Sequence, residues 1–108
     1  MTALSRGTIA VDARIDLHGM TQEAAHHRLR LFLQRQQASD GRLVLVITGK
    51  GRPDDDRMLA DERGVLRRAV PEWLGSAAFR DLVSAYNEAG RRHGGAGALY
   101  VRLKRKKP

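Results

Sequence analysis

The chain has 108 residues, enough for one domain that buries about two-thirds of its unfolded surface. Hydrophobic residues make up 42% and charged residues 30%, which is typical of a globular protein and argues against wholesale disorder. There is no cysteine, so disulfides, thiolate zinc sites and cysteine nucleophiles are excluded.

The charge of the chain indicates its partners. Twenty Lys and Arg against twelve Asp and Glu give a net charge of +8, which attracts polyanions. Nucleic acid is the favoured partner and an anionic membrane surface the second. In many small basic proteins, however, the charge serves only solubility. The longest apolar run, 43–47, is far too short to span a membrane, and residues 1–14 lack the apolar core of a signal peptide. We therefore expect a cytoplasmic protein without membrane contact.

The first half of the chain predicts strand, helix, strand. Apolar residues alternate with polar ones at Ile9, Val11, Ile15 and Leu17, as in one or two short strands, and residues 1–13 are interpreted as a lead-in strand or extension. Thr21 is a candidate helix N-cap, followed by an apolar stripe that ends near residues 39–41: Ala25, Leu29, Phe32 and Leu33. Residues 43–47 form an apolar run typical of a buried strand.

The second half predicts helix, strand, strand. Residues 52–63 contain a proline and five acidic residues, which favours a mobile loop. Gly64 opens a helix that Pro71 is expected to break or kink. Residues 82–86 predict a third strand, 87–97 a long glycine-rich turn and 98–103 a fourth strand. The domain is placed at 14–105, with a basic tail at 106–108.

The order of these elements is βαβαββ. Helical crossovers between strands favour parallel pairing, and the last turn predicts a hairpin. We expect an α/β fold, a two-layer or three-layer sandwich with a mixed sheet of about four strands. Ligands of open α/β sheets bind beyond the carboxyl ends of the strands.

Two motifs lie at such strand ends. In the first, Asp16-Leu17-His18-Gly19, the carboxylate and the imidazole are predicted to share one strand face, roughly 6.5 to 7 Å apart. Such a pair suits proton transfer, because a carboxylate orients an imidazole and raises its pKa. From the spacing alone, a structural role in which His18 caps the strand and Asp16 pairs with a basic neighbour is favoured.

The second motif, Thr48-Gly49-Lys50-Gly51, offers backbone N–H groups and one cation to a phosphate. Alone it is weak, because a glycine pair often only reverses the chain, and it lacks the length of a nucleoside-triphosphate loop. Arg67 and Arg68, in the first turn of the second helix, suit phosphate oxygens, and a solvated basic face is an equally good explanation.

The remaining candidates have weaker support. His93 lies in the glycine-rich turn before the fourth strand, where a tight hairpin suffices to explain the glycines. Arg102 and Lys104 belong to a basic run at the end of the fold. Asp16 and His18 supply only two metal ligands, and the Asp54–Asp56 run is better explained as a solvated loop. With only five aromatic residues, the sequence shows no pattern for base stacking.

Taken in order, several segments resemble the Smr domain, the small MutS-related family, over residues 14–105. They are 15–19, the helix from Thr21, 46–51, 64–67, 70–74 and 93–101. The resemblance implies an α/β sandwich similar to the C-terminal domain of bacterial translation initiation factor three. Family members include DNA nickases attached to MutS-like ATPases and enzymes that cut messenger RNA on stalled ribosomes.

The resemblance also implies site residues and partners. Catalysis would fall to Asp16, His18 and Arg67, and substrate contact to Gly49, Lys50 and Gly51. Independently of the resemblance, the further substrate-binding candidates are Arg68, His93, Arg102 and Lys104. The expected function is an endonuclease, with RNA favoured over DNA because His18 is kept. No cofactor is expected, a divalent metal stays open, and the ribosome is a candidate partner of a monomer. The alternatives are a non-catalytic binding module for nucleic acid or ribosome, and a metal-dependent DNA nickase.

Overall fold

The computed structural model describes residues 10–49, 64–89 and 97–106, which form a four-stranded mixed sheet. Its strands are β1 (Ala13–Asp16), β2 (Leu43–Ile47), β3 (Val83–Glu88) and β4 (Ala98–Leu103). They lie in the order β1-β2-β4-β3, with β1 parallel to β2 and β4 antiparallel to both of its neighbours. The predicted mixed sheet and the final hairpin are confirmed.

Two helices cover one face of this sheet. Helix α1 (Gln22–Ala38) begins at Thr21, whose Oγ1 accepts a hydrogen bond from the Ala24 N–H at 3.2 Å, as a capping residue does. Helix α2 (Val65–Leu74) is followed by a short 3₁₀ turn at Ala77–Phe79 that the sequence did not predict. Because both helices pack on the same face, the described part of the chain is a two-layer sandwich.

The core lies between the helices and the sheet. Strands β1, β2 and β4 contribute every second residue to it, following the two-residue period of a strand, while β3 contributes only Val83. The fully buried members are Leu17, Leu29, Leu33, Val44, Val46, Val70, Phe79 and Val101. A smaller apolar cluster of Leu45, Ala89 and Ala98 lies on the opposite face of the sheet. Strand β2 is therefore buried on both faces, which explains its continuous apolar sequence.

Two predicted boundaries are wrong. Helix α2 continues through Pro71 to Leu74, because the ring removes a single N–H donor while Val70 and Leu74 on either side stay buried in the core. Strand β3 continues past Tyr86, because Asn87 and Glu88 pair with β4. The same register makes Tyr86 an exposed residue on the outermost strand of the sheet.

Asp12 fastens the start of β1 to the start of β2. Its Oδ2 accepts hydrogen bonds from the backbone N–H groups of Arg42 and Leu43, at 2.8 and 3.0 Å. These two bonds, that from Leu43 first, lower the pKa of the Asp12 carboxyl below its ordinary value. Asp12 therefore contributes to stability only while it is ionised.

The strand directions define two opposite edges of the sheet, meaning here the two sides at which its strands begin and end. The carboxyl ends of β1 and β2 lie side by side at one edge, since Asp16 is opposite Ile47 and Ile47 is opposite Ala98. Strand β4 starts at this edge and runs away from it, so Leu103 lies at the other edge. Among the described helices, neither is long and apolar enough to cross a membrane.

Candidate functional site

Asp16 and His18 form a tight turn at the end of β1. The Asp16 Oδ1 accepts a hydrogen bond of 2.9 Å from the backbone N–H of His18, and the intervening Leu17 N–H still donates to the Ile47 carbonyl of β2 at 2.8 Å. An aspartate often bonds in this way to the backbone two residues on. The carboxylate therefore fixes the backbone that carries the imidazole, and the predicted separation of the two side chains stays a prediction. Leu17 between them is fully buried, as predicted, while Asp16 and His18 are exposed.

The imidazole of His18 lies against Gly49, just past the end of β2. A β-carbon built at residue 49 would lie 3.4 Å from His18 Cδ2 and 3.6 Å from its Cβ. Gly49 has φ +96°, a backbone conformation that residues with a side chain rarely adopt. The two motifs thus meet at one edge of the sheet, with a glycine surface beneath the imidazole.

A single carbonyl holds this glycine in place. The carbonyl of Gly97 accepts hydrogen bonds from the Thr48 N–H (2.7 Å), the Gly49 N–H (3.2 Å) and the Thr48 hydroxyl (3.2 Å). Thr48 is the buried polar side chain of the described residues, 7% exposed. Since the Gly49 N–H is used here, Gly49 cannot offer it to a phosphate. The importance of Thr48 and Gly97 was missed, although a threonine directly after a buried apolar run is a usable signal.

Arg67 and Arg68 lie in the first turn of α2 and are exposed. Gly64 precedes the helix with φ +75°, and the Arg68 Nη1 lies 3.5 Å from the position of a β-carbon there. The other end of α2, at Gly75, borders a groove with Lys104 at the far edge of the sheet. A helix of ten residues is about 15 Å long, so both arginines lie well away from that groove, at the other end of α2.

The structure separates Arg102 and Lys104 from this edge. Arg102 lies near the far end of β4 and Lys104 directly after it. Six residues of strand put Lys104 about 20 Å from the Ala98 end. Lys50, Gly51 and His93, and the loop 52–63, lie outside the described residues. Their predicted roles remain predictions.

The other described histidines are not at the candidate site. His26 on α1 makes edge-to-face contacts with Trp73 and Phe79, at centroid distances of 4.9 and 5.1 Å. His27 is exposed on the same helix. Within the described ranges, no three His, Asp or Glu side chains are grouped closely enough to hold a metal ion.

The described site brings together an exposed imidazole, a carboxylate and a glycine. An exposed imidazole can carry a proton in either direction near neutral pH. Arginines in the first turn of α2 provide cations that suit a phosphate. The protein therefore belongs to the class of two-layer α/β domains, and its candidate site lies at the carboxyl ends of two parallel strands.

Comparison with known proteins identifies the family within that class. The model of the Smr domain family matches residues 15–104, so the chain belongs to the Smr domain family. A probable DNA endonuclease, SmrA of Escherichia coli, is 36% identical over 102 residues, which cover 94% of this chain and 50% of the relative. A ribosome rescue factor, SmrB of Aeromonas hydrophila, is 30% identical over 100 residues, 93% of this chain and 49% of the relative.

Solved structures agree with the fold. The Smr domain of Thermus thermophilus MutS2 superposes with a TM-score of 0.67 at 26% identity, covering 85% of this chain and 98% of that one. YdaL, a stand-alone small MutS-related protein from Escherichia coli, has a TM-score of 0.68 at 35% identity, covering 86% and 64%. The chain spans about half the length of the curated relatives it matches.

Proposed function

We propose that the chain is an endonuclease that cleaves phosphodiester bonds, with RNA favoured over DNA. The observation that carries this proposal is the imidazole of His18, exposed on Gly49 at the common end of β1 and β2. The net charge of +8 supports a polyanionic substrate. A relative named as a probable DNA endonuclease supports nucleic-acid cleavage.

In RNA the reaction would use the substrate's own 2′-hydroxyl. His18 as a neutral base takes the 2′ proton while the 2′ oxygen attacks the adjacent phosphorus. The bond from phosphorus to the 5′ oxygen breaks, and that oxygen takes up a proton from water as the downstream part of the strand leaves. The products are a 2′,3′-cyclic phosphate and a 5′-hydroxyl, and this path needs no metal. Acid–base catalysis of this kind typically contributes about 10²- to 10⁴-fold.

The other site residues would support His18. Asp16 acts as a positioning residue, because its carboxylate holds the backbone N–H of His18. Arg67 would stabilise the charge that develops on the phosphate, and Arg68 and Lys50 would bind flanking phosphates. Gly49 gives the imidazole room to lie close to the strand end.

A non-catalytic binding module is the second candidate. A carboxylate that bonds only to the backbone of its own turn also suits a purely structural cap. Such a module would dock on nucleic acid or on the ribosome, the latter suggested by the relative named as a ribosome rescue factor. A metal-dependent DNA nickase is the third candidate, suggested by the relative named as a DNA endonuclease.

The test compares labelled RNA and supercoiled plasmid DNA, each with and without EDTA, for the wild type and His18→Ala. The matched control is His27→Ala, which removes an exposed histidine from the outer surface of α1. We expect RNA cleavage in EDTA, a loss of about 10²- to 10⁴-fold in His18→Ala, and full activity in His27→Ala.

Each other outcome points to one alternative. Tight binding without any product would establish the binding module. DNA nicking that EDTA abolishes would establish the metal-dependent nickase. Equal cleavage rates for His18→Ala and wild type would remove His18 from the mechanism.

A further inference from the structure

A second basic groove lies at the edge of the sheet opposite His18. It has a volume of about 400 Å³ and lies between the end of α2, the 3₁₀ turn and the edge strand β3. Its lining includes Gly75, Arg80, Ser84, Tyr86 and Lys104. All five are exposed, so the groove is open to solvent along β3.

The side chains that line this groove suit a phosphate-bearing ligand. Arg80 and Lys104 provide two cations, and the lining contains no carboxylate. The hydroxyls of Ser76 and Ser84 already donate to the carbonyls of Trp73 and Arg102. Within the described part of the chain, the side chains of Arg80, Lys104 and Tyr86 form no hydrogen bond or ion pair and are available to a ligand.

Tyr86 adds an aromatic surface to these cations. It is 39% exposed, one of two large apolar side chains of the described residues with this degree of exposure. Its hydroxyl lies beside Gly75, since a β-carbon there would be in ordinary contact with the Tyr86 hydroxyl oxygen, at 3.9 Å. An exposed aromatic ring beside two cations is the arrangement with which proteins bind single-stranded nucleic acid, by base stacking and phosphate contacts.

The groove is far enough from the candidate site to need a strand of several nucleotides. Strand β4 places Lys104 about 20 Å from the edge of His18. We propose that the groove formed by Arg80, Tyr86 and Lys104 binds a single-stranded flank of the nucleic acid whose reacting phosphate lies at His18. This inference rests on the proposed function for the identity of the ligand.

The experiment measures the affinity of the full chain for fluorescent single-stranded RNA of about 16 and about 4 nucleotides, in a His18→Ala background so that the RNA stays intact. Replacing Tyr86 with Leu removes the stacking surface, and we expect the long RNA to bind at least about fivefold more weakly. Tyr86→Phe keeps the ring and should bind the long RNA as the parent does. Since the side chain is exposed, both variants should fold.

The cations are tested by the salt dependence of binding. Arg80→Ala with Lys104→Ala should flatten the slope of log affinity against log salt by about 1.4 for the long RNA, because two phosphate contacts are lost. Arg28→Ala, which removes an exposed charge from α1, is the control and should leave the slope unchanged.

The two proposals fail in different ways. Unchanged affinity of the long RNA in Tyr86→Leu, or an unchanged slope in the double variant, would overturn the groove. If the groove variants weaken RNA binding as expected but the wild type cleaves neither RNA nor DNA, the groove is established and the endonuclease is refuted.

Discussion

The imidazole of His18 lies directly against Gly49, on the side where a side chain of residue 49 would stand. The 3.4 Å separation between a β-carbon at residue 49 and His18 Cδ2 is ordinary contact, but the left-handed φ of +96° penalises any side chain. Residue 49 therefore affects the position of the His18 imidazole through its backbone conformation as well as through direct contact.

We predict that Gly49→Ala lowers cleavage more than it lowers stability. The strained backbone costs about 1 to 3 kcal/mol, and relief of that strain would rotate the turn that supports His18. Cleavage rate and free energy of unfolding are measured on the same preparation. Wild-type cleavage by Gly49→Ala would contradict the positional role.

We predict that Thr48→Val destabilises the fold by about 1 kcal/mol. The substitution conserves shape and removes the hydroxyl that donates to Gly97, while two backbone N–H groups still satisfy that carbonyl. The midpoint of urea unfolding measures the loss. Thr48→Ser retains the donor, and a result in which it loses more than Thr48→Val would place the importance of residue 48 in its methyl group.

We predict that Asp12 makes stability depend on acid pH. Because its pKa is lower in the folded state than its ordinary value of 3.8, its contribution is present above that value and is lost as pH falls through the folded pKa. Asp12→Asn should cost about 1 kcal/mol at neutral pH and progressively less below about pH 4, since the carboxylate is exposed and its hydrogen bonds are partly replaced by water.

The measurement for Asp12 is the free energy of unfolding of the wild type and Asp12→Asn across this range. Two parallel curves, with the same difference at neutral and acid pH, would show that the hydrogen bonds to Arg42 and Leu43 do not depend on the charge.

We predict that His26 stabilises the packing between α1 and α2. Its ring contacts both Trp73 and Phe79 edge-to-face, and each such aromatic pair contributes about 0.5 to 1.5 kcal/mol. His26→Ala should therefore cost about 1 to 3 kcal/mol in thermal or urea unfolding. Its neighbour His27 is exposed, and His27→Ala should change stability by no more than about 0.5 kcal/mol.

Local sequence patterns predicted most of the fold. The apolar run of β2, the capping residue Thr21 and the alternation of β4 each predicted an element within a residue or two of its position. These signals are local, because capping and strand alternation depend on neighbours in the chain. Pro71 was misinterpreted because its effect depends on the tertiary packing of Val70 and Leu74, which no local pattern encodes.

The candidate site was predicted in part. The meeting of the Asp16-His18 and Gly49 motifs followed from a general rule for parallel strands. Arg102 and Lys104 were assigned to the same substrate surface because they are basic, but β4 lies between β2 and β3 and carries them to the opposite edge. The pairing of Tyr86 with Lys104 across a groove was equally invisible, since eighteen residues separate them in sequence and only the register of β3 and β4 brings them together.

The central position of β4 has a consequence for biosynthesis. While residues 98–103 are still inside the ribosome, β2 and β3 have no shared neighbour, and both present unpaired backbone groups to other chains. The complete sheet therefore forms only after residues 98–103 have left the ribosome, and a fragment that ends before them would expose the unpaired side of β2 and leave β3 without its partner.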